Sequence, residues 1–279
     1  MSDLTARLGL GASARALIVT ADDFGLCHAA TEGVDAVLSS GAARSAGLVV
    51  PAPWSREAAA RAMGRDVGVH LALTCGFRRY RFGPVTHAPS LLGGDGGFPA
   101  DAVDLHDHAD PDEVRRECRA QLERAASLGV RATHLSVHDQ ALFSAPALFD
   151  VLVELAAESS LPLRLPGRDE AGAFGFPLHD LAAAHGVLAP DAVLRLGARR
   201  RPTPAALVEH LGEGVTELVV RPAVDGPELR ALADDAGARA GDLAWLEGGE
   251  LAAACEARGV TLLGWAALVE LARHEAASS

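Results

Sequence analysis

A single-domain α/β fold, a (β/α) barrel that is distorted or has only seven strands, is the class this sequence predicts. Three observations predict it. Short aliphatic or β-branched runs alternate with helix-patterned stretches from one end to the other. The spacing fits seven or eight βα units within 279 residues. No Pro/Gly/Ser-rich linker divides the chain. Alternation of this kind means parallel strands joined by right-handed crossovers, and about 250 residues suffice to close such units into a barrel. A doubly wound open sheet satisfies the same alternation and is the alternative.

Residues 1–15 read as an N-terminal extension, followed by the domain proper over 16–273 and a frayed C-terminus over 274–279. Strands are expected over 16–23 (ALIVTADD), 45–50, 67–74 (VGVHLALT), 133–138 (THLSVH), 163–166, 192–196, 215–222 (VTELVVRP) and 260–265 (VTLLGW). Helices are expected over 27–40, 54–63, 112–128, 145–159, 204–211 and 250–258. The longest irregular stretch, 75–111, far exceeds the usual connection of about 2–6 residues between strand and helix. It follows directly on the strand carrying His70, which marks it as a substrate-covering insertion loop.

Composition narrows the function. The chain is 49% hydrophobic but only 4% aromatic, so its core must be assembled from many small aliphatic pieces. Its formal charge is -12, which opposes a nucleic-acid partner, because a phosphate backbone demands a basic face. All 25 basic residues are arginine. Without lysine, Schiff-base chemistry and the P-loop mechanism are excluded. No apolar run approaches the roughly 20 residues needed to span a bilayer, and residues 1–15 lack an apolar signal core, so a cytoplasmic location without membrane contact is expected. Cys27, Cys75, Cys118 and Cys255 have no CxxC spacing and read as reduced, buried thiols.

In a βα architecture, chemistry gathers at the carboxyl ends of the strands. The first strand ends in Asp22 and Asp23, which regular alternation sends to opposite faces. A helix cap accounts for one of these carboxylates but not both, and a buried charge is costly unless paired or metal-bound. His70 lies in an apolar strand. His134 and His138 are four apart in the next, an even spacing that sends both to one face. Imidazoles and carboxylates from three strands suggest a divalent metal with open positions. His106 and His108 lie in the long loop with nothing to fix them, and Arg199, Arg200 and Arg201 read as a solvated run. Glu117 and Gln121, one helical turn apart, read as packing or helix-stabilising residues.

The segments TADDFG, GVHLALT, EVRRECRAQLERAASLGV and THLSVH together resemble the YdjC/ChbG/HpnK family of carbohydrate deacetylases. That family reads (N/T)ADDFG, GxHLxLT, a helix with Glu and Gln four apart, and THxDxH, followed by an (L/V)RLP strand. Here the last is Leu163-Arg164-Leu165-Pro166. RPAVDGPELRAL resembles the family's HPGxDxPEL segment and GVTLLGWAAL its closing GxxLxxWxxL, so the likeness runs over 16–271 in the right order. The resemblance implies a (β/α) barrel and a metal-dependent hydrolase that removes N-acetyl groups from small amino sugars. It implies Asp23, His70 and His138 as ligands of one divalent metal, and Asp22 as the general base. The donor set suits Zn²⁺ or a hydrated Mg²⁺, with Mn²⁺ and Co²⁺ also compatible. A homodimer accords with the family.

Two departures bear on proton delivery to the leaving amine. Ser136 stands where THxDxH has Asp, and it can orient a histidine but brings no negative charge. Arg221 stands where HPG has His, and arginine cannot deliver a proton near neutral pH. His134 is then the candidate substitute acid. Arg221 is expected at the reacting centre, binding an oxyanion or a substrate anion; Ser136 is expected on the substrate side, and Arg164 either there or in a structural ion pair. The rival readings are a ligand-binding relic with impaired turnover and a tailoring amidohydrolase whose anionic substrate is held by Arg221.

Overall fold

The computed structural model describes residues 4–143, 145–196 and 201–278. Among the described residues, seven strands form one sheet: β1 (Arg15–Phe24), β2 (Ser45–Leu48), β3 (Asp66–Leu71), β4 (Leu135–Val137), β5 (Ala192–Arg195), β6 (Gly214–Val220) and β7 (Val260–Leu263). All pairings are parallel, in the order β4-β3-β2-β1-β6-β5, with β7 also on β1. The sheet curls into a half-barrel within a single α/β domain. Its distortion is centred on β1. One side of β1 pairs with β6 from Arg15 to Ala21, and the other is shared by β7 over Arg15–Ile18 and β2 from Thr20 onward. Such strands, buried on both faces, read as continuous apolar runs, and Leu17, Ile18 and Val19 are at most 1% exposed.

The strand expected over 163–166 does not form. Leu163 makes an isolated bridge to Leu135, and the flanking Pro162 and Pro166 have no N–H with which to extend a ladder. Arg164 N still donates to Leu135 O, which fixes the Arg164 backbone beside β4.

The 75–111 stretch is more ordered than its sequence suggests. It contains a helix, Ala102–His108, capped by the Asp101 carboxylate, and its own buried Phe82, Leu91, Phe98 and Leu105. Glu117 and Gln121, on the helix Pro111–Ser127, tie this insertion to the end of β3. The Glu117 carboxylate accepts from Val85 N (3.0 Å), Thr86 N (2.9 Å) and Thr86 Oγ1 (2.6 Å). The Gln121 amide donates to Ala72 O (2.8 Å) and accepts from Ala72 N (3.1 Å).

Leu4 packs in a small core with Ile18, Val215 and Trp265, so the described part of the N-terminal extension belongs to the fold; residues 1–3 lie outside the described residues. The final helix, Trp265–Ser278, carries the segment expected to fray. Among the described residues, no helix is long and apolar enough to cross a membrane. All four cysteines are buried free thiols.

Candidate metal centre

The ends of β1, β3 and β4 bring Asp23, His70 and His138 together, with one ligand atom from each lying within 4.8 Å of the others. They line a cavity of about 410 Å³, and Asp22 lines the same cavity. Regular alternation cannot place both aspartates there. The β1–β2 register slips between Ala21 and Phe24, and Asp23 has φ 67°, in the left-handed region. This bulge at the strand end turns neighbouring carboxylates toward one space. A second irregularity follows β4, where Asp139 and Gln140 have φ 51° and 56° immediately after His138. Non-glycine residues rarely hold that conformation, and such strain collects at functional sites.

The ligand candidates are held from behind. Ser136 Oγ lies 2.8 Å from His70 Nδ1, so the Nε2 side of His70 faces the centre. Ser136 is fully buried, which places its hydroxyl to orient the His70 ring. Arg239 donates to Asp23 Oδ2 at 2.6 Å and to Asp235 at 2.8 Å. Asp23 Oδ1 lies 3.6 Å from His138 Nδ1 and is buried without a hydrogen-bond partner. A buried carboxylate oxygen left open among two imidazoles fits a divalent cation, and His₂-carboxylate is a recognised donor set. Behind the ring, His138 Nε2 lies 3.3 Å from the Asp139 carboxylate.

Arg164 lines the same cavity, with three of its donors engaged by carboxylates. It donates through Nη1 to Asp22 Oδ2 (2.7 Å), and through Nε and Nη2 to the two Glu217 oxygens (2.8 and 2.7 Å). Glu217 in turn accepts from Thr20 Oγ1 (2.6 Å) and Trp265 Nε1 (3.1 Å). The other oxygen of Asp22, Oδ1, is buried and has no hydrogen-bond partner. Gly47 makes room for it, since a Cβ there would lie 3.0 Å from Asp22 Oδ1 and 3.1 Å from His70 Cβ.

Burial pushes both aspartates up, but nearby cations prevail. Arg164 holds the Asp22 carboxyl below its ordinary value. Arg239 holds Asp23 well below the usual carboxylate range. Both are therefore ionised at neutral pH. Burial drives His70 the other way, toward its neutral, metal-competent form.

His134 does not line the cavity. At the strand rise of roughly 3.3 Å per residue, four residues place it a full layer deeper than His138. There it stacks on Trp265, with ring centroids 4.5 Å apart, over Gly68, where any Cβ would meet its ring. The expectation that it acts as the acid is thus corrected: it is a core residue. Burial, and secondarily Arg164, hold its pKa well below 6.5. The unfolded chain therefore binds a proton below pH 6.5 that the folded chain refuses, and stability falls as pH drops through that value. We expect a loss approaching about 1.4 kcal/mol per pH unit from this group. His134→Gln should flatten the profile between about pH 6.5 and 5, as read by denaturant midpoints.

Arg221 follows β6 and lines the cavity at its mouth, where its guanidinium pairs with Asp235 at 3.0 Å and its side chain is 47% exposed. Arg201 is not part of a solvated run, because it pairs with Asp242 at 2.8 Å; Arg199 and Arg200 lie outside the described residues. His106 and His108 sit exposed on the insertion helix, away from the centre. Glu228 occupies the N-terminus of the helix His28–Ser40, accepting from Ala29 N at 2.8 Å, so neither Asp22 nor Asp23 serves as its cap. Sequence reasoning missed Arg239, Glu217, Gly47 and Asp139. A carboxylate inside an apolar strand, as in VTELVV, was the one available signal for Glu217.

Residues 16–257 match the YdjC-like protein family. A carbohydrate deacetylase of Thermus thermophilus is 35% identical over 241 residues, covering 83% of this chain and 86% of that protein. A carbohydrate deacetylase of Brevibacillus brevis is 36% identical over 154 residues, covering 54% of this chain and 59% of that one. A crystal structure from Enterococcus faecalis V583, of a protein named for cellobiose-phosphate cleavage, superposes with a TM-score of 0.79 at 26% identity. It covers 92% of this chain and 99% of that one.

Proposed function

The chain belongs to the YdjC-like family, and from that premise we propose that it is a metal-dependent hydrolase removing the N-acetyl group from a small amino sugar or glycoside. The observation that carries this reading is the pairing of two features in one cavity. Asp23, His70 and His138 present ligand atoms within 4.8 Å of one another, and Asp22 Oδ1 lies beside them buried and unpartnered. A divalent cation held by those three residues supplies Lewis acidity toward an amide carbonyl and an attacking water.

The chain's own groups do the rest. Asp22 Oδ1 accepts the proton of the attacking water, while Arg164 fixes Oδ2 and keeps the carboxylate ionised. Ser136 and Asp139 orient the two imidazoles from behind. No histidine stands at position 221, and His134 lies a layer too deep. Asp22, once protonated, is then the carboxyl that returns the proton to the departing amine, as one carboxylate serving as base and then acid. Arg221 remains a cation throughout and takes no part in proton transfer.

The test is acetate release from N-acetylglucosamine oligomers by metal-loaded, chelator-stripped and reloaded protein. Stripping is expected to reduce release at least about 100-fold, and reloading to restore it. No acetate from any N-acetylated amino sugar by protein carrying one metal per chain would overturn the assignment.

A further inference from the structure

Two buried arginines meet the two aspartates at the end of β1 in the same way. Arg164 donates through Nη1 to Asp22 Oδ2 at 2.7 Å, and Arg239 donates through Nη1 to Asp23 Oδ2 at 2.6 Å. In each carboxylate the other oxygen, Oδ1, is buried without a hydrogen-bond partner. Each aspartate thus turns one oxygen to an arginine and keeps the other bare. For Asp22 that division suits a proton acceptor. For Asp23, a candidate metal ligand, it has a different consequence.

A guanidinium beside a carboxylate commonly takes both oxygens with a fork of two parallel N–H donors. Arg230 does so with Asp225, at 3.0 and 2.6 Å, and Arg164 does so with Glu217. Arg239 does not fork onto Asp23. Its Nε is spent on Asp235 Oδ1 at 2.8 Å, four residues earlier in the chain, so Nη1 meets Asp23 end-on. The helix that carries it, Ala236–Glu247, is pinned to the segment leaving β6. There Ala223 N donates to Arg239 O at 3.3 Å, and Arg221 N donates to Asp242 Oδ2 at 2.9 Å. With backbone and Nε both fixed, the guanidinium is held on one oxygen and away from the other.

We propose that Arg239 is a positioning residue that limits Asp23 to one coordinating oxygen, Oδ1, and thereby sets which cation the centre prefers. This rests on the reading of Asp23, His70 and His138 as metal ligands. Two imidazoles and one carboxylate oxygen make three donors, the number with which catalytic Zn²⁺ sites keep a position open for water or substrate. With Oδ2 free as well, the carboxylate would close on a cation through both oxygens. That mode suits Ca²⁺, which takes about 6–8 oxygen ligands and accepts carboxylates in pairs of oxygens.

The experiment is competition titration of Zn²⁺ and Ca²⁺ into wild type, Arg239→Gln and Arg239→Met, with folding checked by circular dichroism. Glutamine is the sharper variant. Counted in bonds from Cα, its amide nitrogen falls where the arginine Nε stands, so the donor to Asp235 is kept while the donor to Asp23 is removed. Losing the guanidinium charge favours both dications alike, so the ratio of the two affinities reports how many oxygens Asp23 offers. Both variants should shift that ratio toward Ca²⁺ by about tenfold or more, the scale on which a partner behind a ligand alters metal affinity. An unchanged ratio, whether both affinities fall together or neither moves, would reduce Arg239 to a structural support and overturn the proposal. If the variants do not fold, the crystal structure of metal-loaded wild type decides. Asp23 Oδ1 on the metal with Oδ2 still on Arg239 supports the proposal, and both oxygens on the metal overturn it. Wild type that binds neither ion removes the metal centre itself and this proposal with it, a failure distinct from an unchanged ratio.

Discussion

Asp22→Asn is expected to lower turnover by about 100- to 10,000-fold, the range over which a positioned acid–base group acts, while bound metal stays at the wild-type level. The asymmetry of this carboxylate is the reason. Its Oδ2 is fixed by Arg164 at 2.7 Å, and its Oδ1 is the buried oxygen without a partner. Asparagine keeps the volume and can leave its carbonyl on Arg164, but it places an amide N–H₂ where a proton must be accepted. The candidate metal ligands Asp23, His70 and His138 are untouched. Steady-state acetate release alongside metal analysis checks both halves. Loss of metal together with activity would show Asp22 to be a ligand rather than a base.

Arg164→Met is expected to destabilise the fold by about 3–5 kcal/mol, the usual result of removing one member of a buried ionic network. Arg164 is the cation between Asp22 and Glu217, and it satisfies them with three separate N–H donors. Glu217 is fully buried. Without Arg164 it keeps Thr20 and Trp265 as donors but loses its counter-charge. Lysine is not a rescue, because a single ammonium cannot reproduce a fork to one carboxylate and a third bond to another. Denaturant unfolding of Arg164→Met and Arg164→Lys checks this. An unfolding free energy within about 1 kcal/mol of wild type for Met would refute the structural role.

Much of this arrangement is legible in sequence because it follows periodicity. The apolar runs 16–23 and 215–222 read as buried parallel strands and are found as β1 and β6. His70 and His138 are found at strand ends, where a βα fold gathers chemistry. What periodicity cannot reveal is departure from itself. The bulge at Asp23 brings Asp22 and Asp23 to one side against regular alternation. The proline-bracketed 163–166 segment has a strand's composition but lacks the N–H groups for a ladder. Depth along a strand is equally silent: His134 and His138 share a face, yet only His138 reaches the cavity. Arg239 is found only through the fold, since 216 residues separate it from the Asp23 carboxylate it neutralises.

The most direct measurement of the central claim is metal stoichiometry and acetate release in parallel for wild type and His138→Ala, with folding confirmed by circular dichroism. If Asp23, His70 and His138 form the centre, wild type binds one divalent ion per chain. His138→Ala then loses that ion and its activity while remaining folded. Stoichiometric metal and undiminished acetate release in folded His138→Ala would contradict the account.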